Sequence, residues 1–300
     1  MGIGWDANNA VSSTGPVVTQ VIGTVPLRAL VWSHGIHTSL ADPQQPVYVL
    51  LHGLGDGADI WRGVVEHWSQ PRGTIVAIDL PGHGGSGRLE PPYRRTDIAD
   101  CVGVALRALG IATPVLIGHS LGGQIALLLA AGSNVSVAGT VLVDVGVRSK
   151  PELDRILVEH IDRLIEGALS IGDFARSIKQ HLPLADLDVL NVILADLCAA
   201  RGSRHEYAVP LDANIKTLLN AGDTLDMGTL LQRIRCPCGV IRGEISSVLP
   251  EKDLAWIAAR TGSFTRTEVV RLAGHALLIE KPDRVAQAIE RLVLPWTRGG

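Results

Sequence analysis

Apolar positions along the chain fall into short β-branched runs and longer runs at helical spacing, and through much of the sequence the two kinds alternate. Residues 16–22 and 27–32 read as two strands around a Gly23-Thr24 turn. Residues 46–51 form a continuous apolar run ending in His52-Gly53, the mark of a buried strand meeting a loop. The spacing predicts a strand over 74–78 and a helix over 96–109, with Ile98, Cys101, Val102, Ala105 and Leu109 at helical periodicity. A strand over 114–117, an apolar helix over 122–131 and a strand over 140–143 ending at Asp144 follow. Such alternation implies an α/β fold, a mostly parallel twisted sheet with helices on both faces.

The alternation breaks after Val147. Residues 148–234 look helical throughout, punctuated by Pro183, Gly202 and Pro210, with no strand expected. A strand over 238–242, a helix over 254–259, a strand over 268–272 and a closing helix over 285–292 then resume the pattern. The expected organisation is a core of 16–147 and 235–296, interrupted by a helical cap at 148–234 and flanked by flexible tails at 1–15 and 297–300.

Composition narrows the function classes. The 300 residues are 46% hydrophobic and 19% charged, enough apolar material for a large core and too little charge for disorder. The net charge is −3 and the densest basic pair is Arg94-Arg95, so nucleic acid is not an expected partner. The four cysteines, Cys101, Cys198, Cys236 and Cys238, show neither a disulfide framework nor a zinc spacing, and no metal is expected. The N-terminus lacks the charged and apolar regions of a secretory signal, and no stretch reaches the ~20 apolar residues of a membrane helix. A cytoplasmic protein without a membrane span is the expectation.

One motif carries chemistry in its required context. Gly118-His119-Ser120-Leu121-Gly122-Gly123 joins the strand at 114–117 to the helix at 122–131, which is G-x-S-x-G on a strand-to-helix turn. Such a turn projects the serine hydroxyl at the C-terminal edge of the sheet, beside the free N–H groups of a helix N-terminus. Ser120 is therefore the candidate nucleophile. An oxyanion needs preplaced donors, for which the Leu121 N–H and, from the Gly-rich loop His52-Gly53-Leu54-Gly55, the Leu54 N–H are the candidates. Among ten histidines His275 stands out, because it follows the last expected strand in Ala273-Gly274-His275 and can reach the serine as a base. Gly82-His83-Gly84-Gly85-Ser86-Gly87 contains G-x-G-x-x-G, but no helix opens there and the chain runs on to Pro91-Pro92. The dinucleotide reading fails on context, and no cofactor is expected.

Together these stretches resemble the α/β-hydrolase superfamily, in its serine-nucleophile branch with a helical cap after the sixth strand. The resemblance rests on Leu51-His52-Gly53-Leu54-Gly55, Asp79-Leu80-Pro81-Gly82-His83-Gly84, Gly118-His119-Ser120-Leu121-Gly122-Gly123, Arg242-Gly243-Glu244, and Gly274-His275 followed by Glu280-Lys281-Pro282-Asp283. It implies a Ser–His–acid triad, with one departure. The acid usually stands three residues beyond the glycine that is Gly243 here, and that position is Ser246. Two carboxylates are candidates in its place. Asp144 ends the strand beside the nucleophile's, where some members of the superfamily carry the acid, and Glu244 lies two residues before the usual position.

The resemblance implies an acyl-Ser120 intermediate formed on an ester, thioester or lactone. The branch also contains C–C bond hydrolases and enzymes of secondary metabolism, and a chain without a carboxylate in the usual place could bind ligand with a weakened triad. The expected partner is a small molecule, apolar or mixed given the Leu- and Ile-rich residues 148–234 with Phe174 and Tyr207 their only aromatics. Oligomeric state is not legible.

Overall fold

The computed structural model describes residues 16–21, 23–34, 40, 45–69, 73–148, 151–201, 206–219, 225–261 and 265–297. The expected tails at 1–15 and 297–300 lie outside them, except Thr297, which is helical. Eight strands form one sheet. They are β1 (Val17–Val21), β2 (Leu27–His34), β3 (Val47–Leu51), β4 (Gly73–Ile78), β5 (Val115–His119), β6 (Gly139–Val143), β9 (Cys238–Gly243) and β10 (Thr265–Val270), and their spatial order is β1-β2-β4-β3-β5-β6-β9-β10. β1 pairs antiparallel with β2, and β2 antiparallel with β4. Every other neighbour is parallel.

The continuous apolar runs that predicted strands are buried on both faces. Every residue of β3, β4, β5, β6 and β9 is buried, as parallel strands covered by helices require. One helical group is α1 (Arg62–Glu66) with the short α9 (Leu277–Glu280) and with α10 (Pro282–Thr297), which packs on β9 and β10. A second is α2 (Arg95–Ala108) with α3 (Leu121–Ala131), joined by α7 (Met227–Arg233) and α8 (Glu251–Thr261). Leu127, Leu142, Val145, Leu231, Val240 and Ile257 close the core between α3, α7, α8 and the strands they cover.

Between β6 and β9 the chain forms α4 (Pro151–Glu166), α5 (Ile171–Lys179), α6 (Leu187–Leu197), a 3₁₀ turn at Ala213–Leu219 and α7. It also forms one hairpin, β7 (Ala199–Arg201) with β8 (Glu206–Ala208), where the pattern predicted helix alone. Three-residue strands are too short to show an alternation. β10 (Thr265–Val270) begins three residues before the expected strand over 268–272 and ends two residues short of its end. Leu272, counted as strand for its apolar side chain, is 70% exposed and turns the chain with φ 54°.

Candidate active site

Ser120 stands between β5 and α3 with φ 49° and ψ −114°, a left-handed backbone that an ordinary residue adopts only under constraint. The constraint is visible in its neighbours. A Cβ on Gly118 would lie 2.2 Å from the Gly122 carbonyl oxygen, and one on Gly122 would lie 2.2 Å from the Leu51 carbonyl oxygen. The turn therefore closes only with glycine on either side of the serine. The Ser120 N–H donates to the Val143 carbonyl at 3.1 Å, and its own carbonyl accepts the Gly123 and Gln124 N–H groups at 3.0 and 3.1 Å, opening α3.

The hydroxyl meets one imidazole. Ser120 Oγ is 3.2 Å from His275 Nε2, and His275 Nδ1 is 2.7 Å from Asp144 Oδ2. Asp144 is fully buried, at the end of β6 with φ 48°. Its Oδ1 accepts the Gly243 N–H at 2.9 Å, and its Oδ2 accepts the Ser246 hydroxyl at 2.5 Å. The structure thus brings Ser120, His275 and Asp144 into one hydrogen-bonded chain, drawn from the ends of β5 and β6 and the loop after β10. Glu244 faces elsewhere. Its Oε2 accepts the Leu272 N–H at 2.8 Å, and its Oε1 lies 3.8 Å from Arg271 Nε.

The loop after β3 carries Leu54. It is shaped by two buried histidines whose rings meet edge-on with centroids 4.8 Å apart. His52 Nε2 accepts the Leu80 N–H at 2.9 Å, which leaves Nδ1–H to donate to the Gly53 carbonyl at 2.7 Å. His83 Nε2 accepts the Gly55 N–H at 3.1 Å, and its Nδ1–H donates to the Pro81 carbonyl at 3.1 Å. Both geometries require neutral imidazoles. Burial pushes the His52 pKa down, and burial with the neighbouring His52 pushes His83 down to about 3. Among the described residues the Leu54 and Leu121 N–H groups meet no protein acceptor.

From sequence, His52, His83 and His119 lie on loops at the strand C-termini and read as pocket-lining or structural, without the partners that hold them. His119 is almost fully buried. His119 Nε2–H donates to the His275 carbonyl at 2.9 Å, and its Nδ1 lies 3.8 Å from Asp56 Oδ2. The G-x-G-x-x-G segment holds no helix, since α2 begins only at Arg95. Its Gly85 N–H donates to buried Asp79 at 2.8 Å.

The insert reaches over these loops. A Cβ on Gly55 would lie 2.8 Å from Leu164 Cδ1 of α4, one on Gly57 3.0 Å from Leu197 Cδ2 of α6, and one on Gly274 3.7 Å from Leu184 Cδ1. Among the described residues no group of His, Cys, Asp and Glu could hold a metal ion, and no helix is long and apolar enough to cross a membrane.

Three likenesses accord with this geometry. The chain is 36% identical over 267 residues to the uncharacterized protein Rv2715 of Mycobacterium tuberculosis, covering 83% of this chain and 75% of that one. It is 24% identical over 250 residues to the esterase Rv0045c of the same organism, covering 81% of each. The solved structure of an E-2-(acetamidomethylene)succinate hydrolase superposes with a TM-score of 0.81 at 20% identity, over 93% of this chain and 99% of that one. A model described as the alpha/beta hydrolase family matches residues 48–288, four-fifths of the chain and all six of the residues singled out above. The chain belongs to the alpha/beta hydrolase family.

Proposed function

We propose that this hydrolase cleaves a carboxylic ester, thioester or lactone through an acyl-Ser120 intermediate. The observation that carries the reading is the unbroken chain of hydrogen bonds from Ser120 Oγ through His275 to Asp144. Nε2 of His275 takes the proton as Ser120 Oγ attacks the carbonyl carbon, and Nδ1–H goes on donating to the Asp144 carboxylate, which stabilises the imidazolium. The Leu54 and Leu121 N–H groups donate to the oxyanion, and neither must first leave a protein acceptor. The imidazolium then protonates the leaving group. Water, deprotonated by the same nitrogen, releases the acid and restores the hydroxyl.

Residues 148–234 act in this reading as a cap that roofs the pocket. The contacts of Leu164, Leu184 and Leu197 with the loops of Leu54 and His275 support that placement, and their apolar character favours an aliphatic or mixed acyl group. The relative named an esterase is consistent with ester chemistry.

A fluorophosphonate probe tests the nucleophile, because an activated serine attacks phosphorus as it attacks a carbonyl. Wild type should gain one adduct, mapped to Ser120. Ser120→Ala should lose the adduct and about 10⁴-fold or more in kcat against p-nitrophenyl esters. An adduct on another serine, or none, would overturn the reading.

A further inference from the structure

Position 246 is where the family usually keeps its acid, and the side chain there is a hydroxyl bound to the carboxylate that stands in for it. Resting on the hydrolase reading above, we propose that Ser246 is a positioning residue. It clamps the Asp144 carboxylate in the orientation His275 requires.

The hydrogen-bond inventory of one oxygen makes the argument. Ser246 Oγ has a single hydrogen and two lone pairs. The Val248 N–H donates to it at 3.1 Å and the Leu249 N–H at 3.4 Å, so the oxygen already serves as acceptor toward its own turn. Its hydrogen is thereby directed to Asp144 Oδ2, at 2.5 Å, within the range of a charge-assisted O–H···O⁻ bond. Gly243 N–H holds the other carboxylate oxygen at 2.9 Å. Two donors from one turn therefore fix both oxygens and stop the carboxylate rotating about Cβ–Cγ. One lone pair of Oδ2 remains, and His275 Nδ1–H meets it at 2.7 Å. The exposures decide that solvent does not share this work, with Asp144 at 0% and Ser246 at 7%. Without the hydroxyl the carboxylate keeps one fixed oxygen and can swing its second away from the imidazole.

A hydroxyl that served only its own turn, by accepting from Val248 and Leu249, would matter for stability alone. The two roles separate in kinetics. Ser246→Ala should lower kcat and the rate of fluorophosphonate labelling together, by about tenfold to a hundredfold, the worth of one hydrogen bond to a charged group. KM should stay within about twofold, because the hydroxyl does not face substrate. An exchange of acids is the second arm. Ser246 Oγ and His275 Nδ1 share Oδ2, so a carboxylate at 246 comes within reach of the same imidazole nitrogen. In Asp144→Asn/Ser246→Asp the new amide can keep the Gly243 N–H through its carbonyl while its N–H donates to the new carboxylate. This double variant should be about tenfold or more faster than Asp144→Asn alone.

Wild-type kcat and labelling rate in folded Ser246→Ala would overturn the proposal. Should that variant not fold, the exchange decides, and a folded double variant no faster than Asp144→Asn overturns it. A wild type that no probe labels would sink the hydrolase reading instead. Labelling of wild type and Ser246→Ala at equal rates would sink this inference and leave that reading standing.

Discussion

Asp144→Asn is the sharpest perturbation of the proposed triad, because it exchanges one acceptor oxygen for a donor amide and little else. In the wild type Asp144 accepts three hydrogen bonds, from the Gly243 N–H at 2.9 Å, the Ser246 hydroxyl at 2.5 Å and His275 Nδ1–H at 2.7 Å. The asparagine can keep the first through its carbonyl. Its amide then faces Ser246 Oγ and His275 Nδ1 as a donor. The serine can accept the amide only by giving up one of its own turn's N–H donors, and the imidazole must give up its Nδ1 proton and carry one on Nε2. That proton points at Ser120 Oγ, 3.2 Å away, and the base can no longer accept. The expected loss in kcat is ~10²–10⁴-fold, or about 3–5 kcal/mol of transition-state stabilisation. Glu244→Gln is the matched control. Its new side chain still accepts the Leu272 N–H through its carbonyl oxygen and loses only an exposed pairing with Arg271, so kcat should change less than about threefold. Both are read from p-nitrophenyl ester hydrolysis at saturating substrate, with thermal unfolding run alongside. A larger loss in Glu244→Gln would move the acid's role there, and near-normal rates in both would mean that His275 works without a carboxylate.

Two further outcomes follow from His83 and from the first turn of α3. His83 is held neutral with its pKa at about 3, whereas an unfolded histidine titrates near ~6.5. Below ~6.5 the unfolded chain takes up a proton that the folded chain refuses until about 3, so this residue's contribution to stability is complete above ~6.5 and shrinks as pH falls through that window. In urea titrations His83→Gln should flatten the decline between about pH 6 and 4 by up to about 1.4 kcal/mol per pH unit, and an unchanged slope would refute the assignment. Gly122→Ala drives a Cβ to 2.2 Å from the Leu51 carbonyl, which is backbone of a central strand. It should cost about 3 kcal/mol or more, seen as a large drop in melting temperature or as insoluble protein, while wild-type stability would show that the turn can open.

Much of the fold was legible because buried parallel strands are written as short runs rich in apolar, often β-branched residues. β3, β4, β5, β6 and β9 all read this way, and every one of their residues is buried. Edge elements were legible only in outline. β10 has an exposed, mixed pattern, so apolar Leu272 drew the expected strand past its end into the turn before His275. β7 and β8 are too short to carry a period. Of the site, Ser120 and His275 could be singled out because each stands where an α/β sheet exposes a side chain at a strand's C-terminal end. His52, His83 and His119 read only as pocket-lining or structural, and neither their partners nor the partner of Ser246 could be named from the chain alone. Each acts through a partner distant in sequence, brought near by the pairing of β3 with β4 for His52 and His83, and by the register of β5, β6, β9 and β10 for Ser246 and His119.

The seat of Asp144 has a bearing on how this chain could diversify. Ser120 and Asp144 both precede the insert, on paired neighbouring strands, and only His275 comes after it. Lengthening, trimming or grafting the segment between β6 and β9 therefore leaves the spacing of serine and aspartate untouched. An acid at position 246 would instead sit across that junction, and every change of insert would have to be accommodated between nucleophile and acid. The geometry suits a scaffold in which the segment between β6 and β9 can be replaced while two of the three proposed triad residues stay in register. Chimeras that exchange residues 151–226 among relatives are the natural place to look for new substrate ranges.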